Sequence, residues 1–161
     1  MNYWWVSQNQ TYKQEIGGGY MWSPKANKNG NSLQSYTNMT EISAGDIVFA
    51  FYQRKVQQIG IVLEQAVTSS KPAEFGSSGD YWSISGWMVA VSWTALPNPI
   101  APKEHIEVLR PLLPEKHLPI RSDGAGNQAY LFAIGDSLAE KLLSLSGLDH
   151  DKINFSLSGA F

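Results

Sequence analysis

Cysteine is absent from this 161-residue chain, which rules out disulfides, thiolate nucleophiles and cysteine-ligated zinc. Apolar stretches of membrane-spanning length are missing as well. Charge is scarce: 16% of residues are Asp, Glu, Lys or Arg, and the net charge is −2, which argues against indiscriminate binding to a polyanion. The first residues, Met1-Asn2-Tyr3-Trp4-Trp5-Val6, have neither a basic start nor a long apolar core. No signal peptide is expected from them, and a cytoplasmic location is the expectation. His105, His117 and His150 show no metal-ligand spacing, so neither a metal nor another cofactor is expected. No phosphate loop, Gly-x-Ser-x-Gly elbow or zinc-deaminase signature occurs. The close carboxylates Glu104/Glu107 and Asp149/Asp151 read as solvated charges. A binding module fits this inventory better than an enzyme.

What the chain does have is aromatic surface: Trp, Tyr and Phe make up 12% of it, with six Trp. Each indole N–H needs a partner when buried, so few charges and many Trp point to stacking on something planar. The most distinctive stretch is Gly17-Gly18-Gly19-Tyr20-Met21-Trp22-Ser23-Pro24. Consecutive glycines permit positive φ and close backbone approach. The stretch therefore reads either as a pocket wall with Trp22 as its stacking face, or as a tight loop whose Trp plugs the end of a small barrel.

The spacing of apolar residues predicts a first strand over Tyr3–Ser7, followed by the polar tract Ser7-Gln8-Asn9-Gln10-Thr11. Such side chains cap loops or hydrogen-bond the edge of a heterocycle. Tyr36–Ile42 makes a short helical turn, and a Gly45-Asp46 turn leads into a hairpin of Ile47–Tyr52 and Val56–Leu63 at the centre of the sheet. Gly60 within it marks a bulge or a close approach. Residues 68–86 read as a long loop holding Phe75, Tyr81 and Trp82. Trp87, Val89, Val91 and Trp93 alternate on one face of a strand. Pro97, Pro99 and Pro102 break the chain before a short helix near Lys103–Leu109. A glycine-rich loop, Arg121–Gln128, precedes a strand over Ala129–Ile134; Ser137 and Glu140 then form a capping box for a helix through Leu145, closed by Gly147. The sum is a single α+β domain with a small curved sheet, a barrel, and short flanking helices. Residues 1–60 carry five basic side chains (Lys13, Lys25, Lys28, Arg54, Lys55) against three acidic ones, whereas the rest carries seven against eleven. A modest positive face is expected from the first third.

The ordered set Tyr3-Trp4-Trp5-Val6, Tyr20–Pro24, Met39–Ile42 leading to Gly45–Phe49, and Ile59–Val62 resembles the EVE domain of the PUA-like superfamily. It is most similar to the EVE-type domain at the front of HNH-nuclease restriction proteins that cut modified DNA, where runs like Asn2–Val6, Gly17–Pro24 and Gly124–Gln128 recur. The resemblance spans roughly residues 1–146, with 147–161 as a tail or linker to a nuclease module that this chain lacks. It implies a reader that flips a modified cytosine (5-methyl or 5-hydroxymethyl) out of duplex DNA into an aromatic pocket. Flipping takes a few kcal/mol, and base–aromatic stacking returns about 1–3 kcal/mol.

By position, the resemblance makes Trp22 the stacking wall, Ser23 its polar neighbour, and Ser7 and Asn9 the pocket floor. Trp82 is a second wall or a loop anchor, and Asn127 and Gln128 read the base edge. Lys13, Lys25, Lys28, Arg54 and Lys55 are candidates for phosphate contacts, or else solvated surface. Two departures weaken any copying of pocket chemistry. The family's Lys-x-Glu-Pro is Ser7-Gln8-Asn9-Gln10 here, and its Val-Arg-Asn is Ser23-Pro24-Lys25. The rival readings are a reader of methylated RNA bases and an ASCH-like hydrolase of modified nucleosides. The hydrolase would need Lys13, Glu15 or Lys25 in the pocket.

Overall fold

The computed structural model describes residues 1–26, 34–77 and 85–148. Trp82 and Lys28, and the tail from residue 149, lie outside the described residues. Strand β1 (Tyr3–Ser7) leads to helix α1 (Tyr12–Gly18), β2 (Tyr20–Pro24) and α2 (Gln34–Glu41). The hairpin β3 (Ile47–Tyr52) and β4 (Lys55–Val62) follows, then the short β5 (Val67–Ser70) and the long β6 (Ser85–Ile100). Short helix α3 (Ile106–Leu109), β7 (Leu131–Ile134) and α4 (Asp136–Ser146) complete the order.

All seven strands join one sheet in the order β2-β6-β4-β3-β1-β7, with β5 also on β6. The hairpin sits centrally, as its sequence predicts. β1 runs parallel to β3, pairing Trp5 with Phe49 and Ser7 with Phe51, and antiparallel to β7, pairing Trp5 with Phe132. The sheet curls, and α2 packs against β7, β6 and β2 across the open side.

Alternation along β1 divides the core in two. Trp4 and Val6 face an inner cluster with Met21, Met39, Val48, Val89 and Val91. Trp5 faces an outer cluster with Phe49, Phe51, Ile100, Phe132 and the α4 residues Leu138 and Leu142. Being buried on both faces explains why β1 and β3 are nearly continuous apolar runs. Asp46 pins the first turn: its carboxylate accepts from the Asn2 and Ser43 N–H groups, each at 2.9 Å, and from the Trp4 indole at 3.0 Å.

Four local expectations are corrected. The glycine run is not a free loop. Gly17 and Gly18 form the last turn of α1, and only Gly19 takes positive φ, 74°, as the left-handed cap whose N–H reaches the Glu15 carbonyl. Prolines 97 and 99 do not end β6. They sit where the ladder with β4 jumps from Gln58–Ala95 to Val56–Ile100, a bulge in which missing N–H groups are harmless. Ser137 forms no capping box, because α4 starts at Asp136, after Gly135, which puts Ser137 inside the first turn and leaves the helix with no side-chain cap. Part of the long 68–86 loop is ordered structure: β5 pairs with β6 through Ser70, and Ala73–Phe75 form a 3-10 turn.

Gly60 is a close approach, as predicted. A Cβ there would lie 2.5 Å from Val91 Cγ1 and 2.6 Å from the Trp93 ring. Gly60→Ala is expected to lower unfolding free energy by about 1–3 kcal/mol, visible as a reduced urea midpoint with unchanged slope.

Candidate functional site

The carboxyl ends of β1 and β3 lie side by side, and three segments converge there. The loop before β7 reaches β1 through the Ser7 N–H, which donates to the Tyr130 carbonyl at 2.8 Å. The Gln8 N–H donates to the Phe51 carbonyl at 3.0 Å. Gly126 lies against Phe51, where a Cβ would come within 2.8 Å of the ring.

On the outer face this convergence leaves a cleft of about 480 Å³, lined by His117, Leu118, Arg121, Asn127, Gln128, Ala129 and Phe132, within the usual range for small-ligand sites. Asn127 is oriented by its Nδ2, which donates to the Leu118 carbonyl at 2.7 Å. Gln128 is exposed. Alternation puts Ser7 on the face of Trp5 and Phe51, and Trp5 is paired with the cleft residue Phe132. Two buried polar atoms on that face, Trp5 Nε1 and Ser7 Oγ, have no hydrogen-bond partner among the described residues. Such orphans are rare in native structures and mark places where a water or ligand is accommodated.

On the other side lies a buried carboxylate, Glu15, fully enclosed. Oε1 accepts from Gln8 Nε2 at 3.1 Å, from the Tyr130 hydroxyl, and weakly from the Trp22 N–H at 3.4 Å. Oε2 accepts from the Thr11 hydroxyl. The Trp22 N–H is shared with the Tyr130 hydroxyl at 3.2 Å, so the free edge of β2 is capped by side chains. Burial pushes the Glu15 carboxyl up to about 7, against the opposing pull of the hydrogen bonds from Thr11, Tyr130, Gln8 and Trp22. Burial and the adjacent Glu15 carboxylate raise Tyr130 well above the ordinary phenol value. Gln8 is buried, and its Oε1 has no hydrogen-bond partner among the described residues.

The expected site residues separate accordingly. Asn127 and Gln128 share the cleft, and Ser7 lies on the same face behind it. Asn9 is exposed on the turn after β1. Trp22 is not an open stacking face: it is 1% exposed, its Nε1 donates to the Ser69 carbonyl at 3.2 Å, and it meets Phe75 edge-on at 5.7 Å between centroids. Of the two readings of that stretch, the structure adopts the one in which Trp22 packs inward. Ser23 is buried with its hydroxyl on the Pro24 carbonyl. Lys25 donates to Thr68 Oγ1 at 2.7 Å and lies 4.2 Å over the Trp87 ring, a cation–π contact. Lys13, Arg54 and Lys55 are exposed. Glu15, Gln8, Thr11 and Tyr130 were not anticipated as a set. The one sequence signal was Thr11 and Glu15 at i, i+4 spacing.

The sequence matches no family model and no curated protein. Solved structures do match over nearly the full length. Rpa0253 from Rhodopseudomonas palustris superposes with a TM-score of 0.58 at 12% identity, covering 94% of this chain and 97% of that one. Human THYN1, in complex with DNA containing 5-methylcytosine, gives 0.58 at 9% identity, covering 92% and 99%. The YTH domain of Zygosaccharomyces rouxii MRB1, in complex with N6-methyladenosine RNA, gives 0.55 at 11% identity, covering 90% and 86%.

The fold is PUA-like, of the EVE and YTH type. Within this PUA-like framework, the curled sheet and short helices of the chain are those expected from its sequence.

The Glu15 network has a pH signature. Its carboxyl value is raised in the folded state, so its stabilising contribution is complete below about 4.5, the ordinary value, and is lost as pH rises through about 7. Unfolding free energy is expected to fall across that window by a few kcal/mol. Glu15→Gln should flatten the fall in urea titrations at stepped pH.

Proposed function

We propose that this chain is a reader of a modified nucleobase in nucleic acid, with 5-methylcytosine or 5-hydroxymethylcytosine in duplex DNA as its target. The observation that carries the reading is the cleft itself. Asn127 and Gln128, the residues expected to read a base edge, lie together against an aromatic ring and two cationic or titratable side chains, His117 and Arg121. An amide offers donor and acceptor in one plane, as a base edge requires. The fold is shared with proteins solved on methylated DNA and methylated RNA, which supports the class of ligand. The resemblance to the front domain of modification-dependent HNH restriction proteins supports a role as their specificity module.

A second reading, a reader of methylated RNA bases, is favoured by the likeness to the YTH domain on N6-methyladenosine RNA. A hydrolase is disfavoured by the placement of Glu15. Both its oxygens are engaged by the protein's own donors, which suits a strut rather than a general base.

Trp22→Ala is a poor test, since emptying so buried an indole site removes about 3–5 kcal/mol of stability. Exposed Gln128 is the better probe. By fluorescence anisotropy, the wild-type chain should bind a duplex with one 5-methylcytosine more tightly than its unmodified match. Gln128→Ala should shrink that preference about ten-fold while its thermal midpoint stays put. A matched RNA panel carrying N6-methyladenosine separates the second reading. Equal affinity for modified and plain strands of both polymers would sink both.

A further inference from the structure

The tip of the β3–β4 hairpin is unusual in its backbone. Gln53 and Arg54, its two central residues, both adopt positive φ, 49° and 65°. Two-residue hairpin turns of this hand strongly favour Asn-Gly, because side chains beyond glycine strain the left-handed region. Here the chain keeps two long side chains there, followed by Lys55, all exposed.

The tip is also braced. Tyr12 at the start of α1 stacks on Tyr52 at 4.2 Å and 6° between planes. Gln58 Nε2 donates to the Tyr12 hydroxyl at 3.2 Å, and Gln57 Nε2 donates to the Tyr52 carbonyl at 2.6 Å. A bulge at Gln57 re-aims the strand just below the tip, where pairing passes from Ala50–Gln58 to Phe51–Val56. The stack brings Lys13, the neighbour of Tyr12, to the same corner. None of Lys13, Arg54 and Lys55 has a side-chain hydrogen bond or ion pair among the described residues, unlike Lys25 on Thr68 and Arg110 on the Ser122 carbonyl. The hairpin is linked to the cleft-forming loop through Phe51, two residues before the tip, which carries Gly126, the neighbour of the cleft residue Asn127, on its ring and receives the Gln8 N–H.

We infer that the Gln53–Lys55 tip, with Lys13 beside it, is a rigid probe that grips the phosphate backbone of a duplex next to the base held in the cleft. This rests on the reader proposal and adds how the duplex is positioned. A strained, braced turn holds a guanidinium at a fixed place, and a guanidinium matches phosphate oxygens with paired N–H donors. Phosphate contacts of this kind set register and orientation without reading sequence. In a protein of net charge −2, three exposed cations on and next to the braced tip supply attraction where it is needed.

The test uses the full chain and two labelled duplexes, one with a single 5-methylcytosine and its unmodified match, titrated at several salt concentrations. Arg54→Gly suits the left-handed backbone, so its thermal midpoint should rise. It should nevertheless bind both duplexes several-fold more weakly by the same factor, with the salt dependence shallower by about one. A more stable protein that binds less well separates a contact from a folding defect. The inference is overturned if Arg54→Gly binds both duplexes as tightly as wild type with the same salt slope; a retained preference for the methylated duplex would then leave the reader proposal standing. It is also overturned if only the preference is lost, since the tip would then be reading the base, or if the cluster binds anionic vesicles and not the duplex.

Discussion

A carboxylate with no route to water holds the candidate site together. Glu15 accepts from Gln8 in the turn after β1, from Thr11 in its own helix, from Tyr130 before β7, and from the edge N–H of Trp22 in β2. These partners come from segments up to 115 positions apart in sequence. Burying a carboxylate is unfavourable unless its lone pairs are satisfied, so the arrangement is all or nothing. While all four donors are in place, the ends of β1, β2 and β7 keep a fixed spacing. With one missing, a buried acid is left poorly compensated.

That constraint also explains why the glycines follow where they do. A helix beginning at Tyr12 must deliver Glu15 inward and then turn within a few residues into β2. Gly19 supplies the left-handed cap, and its carbonyl accepts from the Val91 N–H at 2.9 Å, so the backbone passes directly onto β6. Gly18 clears the Tyr20 ring, where a Cβ would stand 2.3 Å from the nearest carbon. Backbone crowding, rather than ligand approach, accounts for the run.

Strands were legible in the sequence: β1 from its aromatic and β-branched residues, the central hairpin from its turn, and the Trp87–Trp93 face of β6 from period-two alternation. So was the close approach at Gly60. The α1 helix was not legible, because four polar residues and three glycines around it hide a single turn of apolar signal. Glu15 entered only as a residue a hydrolase would need in its pocket, since nothing local announces that its partners lie far along the chain. Trp22 misled for a related reason. An indole beside glycines looks like a wall, and its covering residues, Phe75 and Ser69, come from a stretch whose composition reads as loop. Asn127 and Gln128 were named through the resemblance, and the cleft they line depends on Phe132 being paired opposite Trp5, which no local pattern announces.

Strand β6 spans 16 residues. Its first part pairs with β2 and β5, and its second with β4. One continuous segment thus carries both sets of ladders, and neither end of it can detach without straining the other. Slow amide exchange along β6 should therefore report a single opening event for the whole domain rather than two independent ones. A ligand bound at one end would then slow exchange at the far end as well, through cooperativity alone and with no movement between the two.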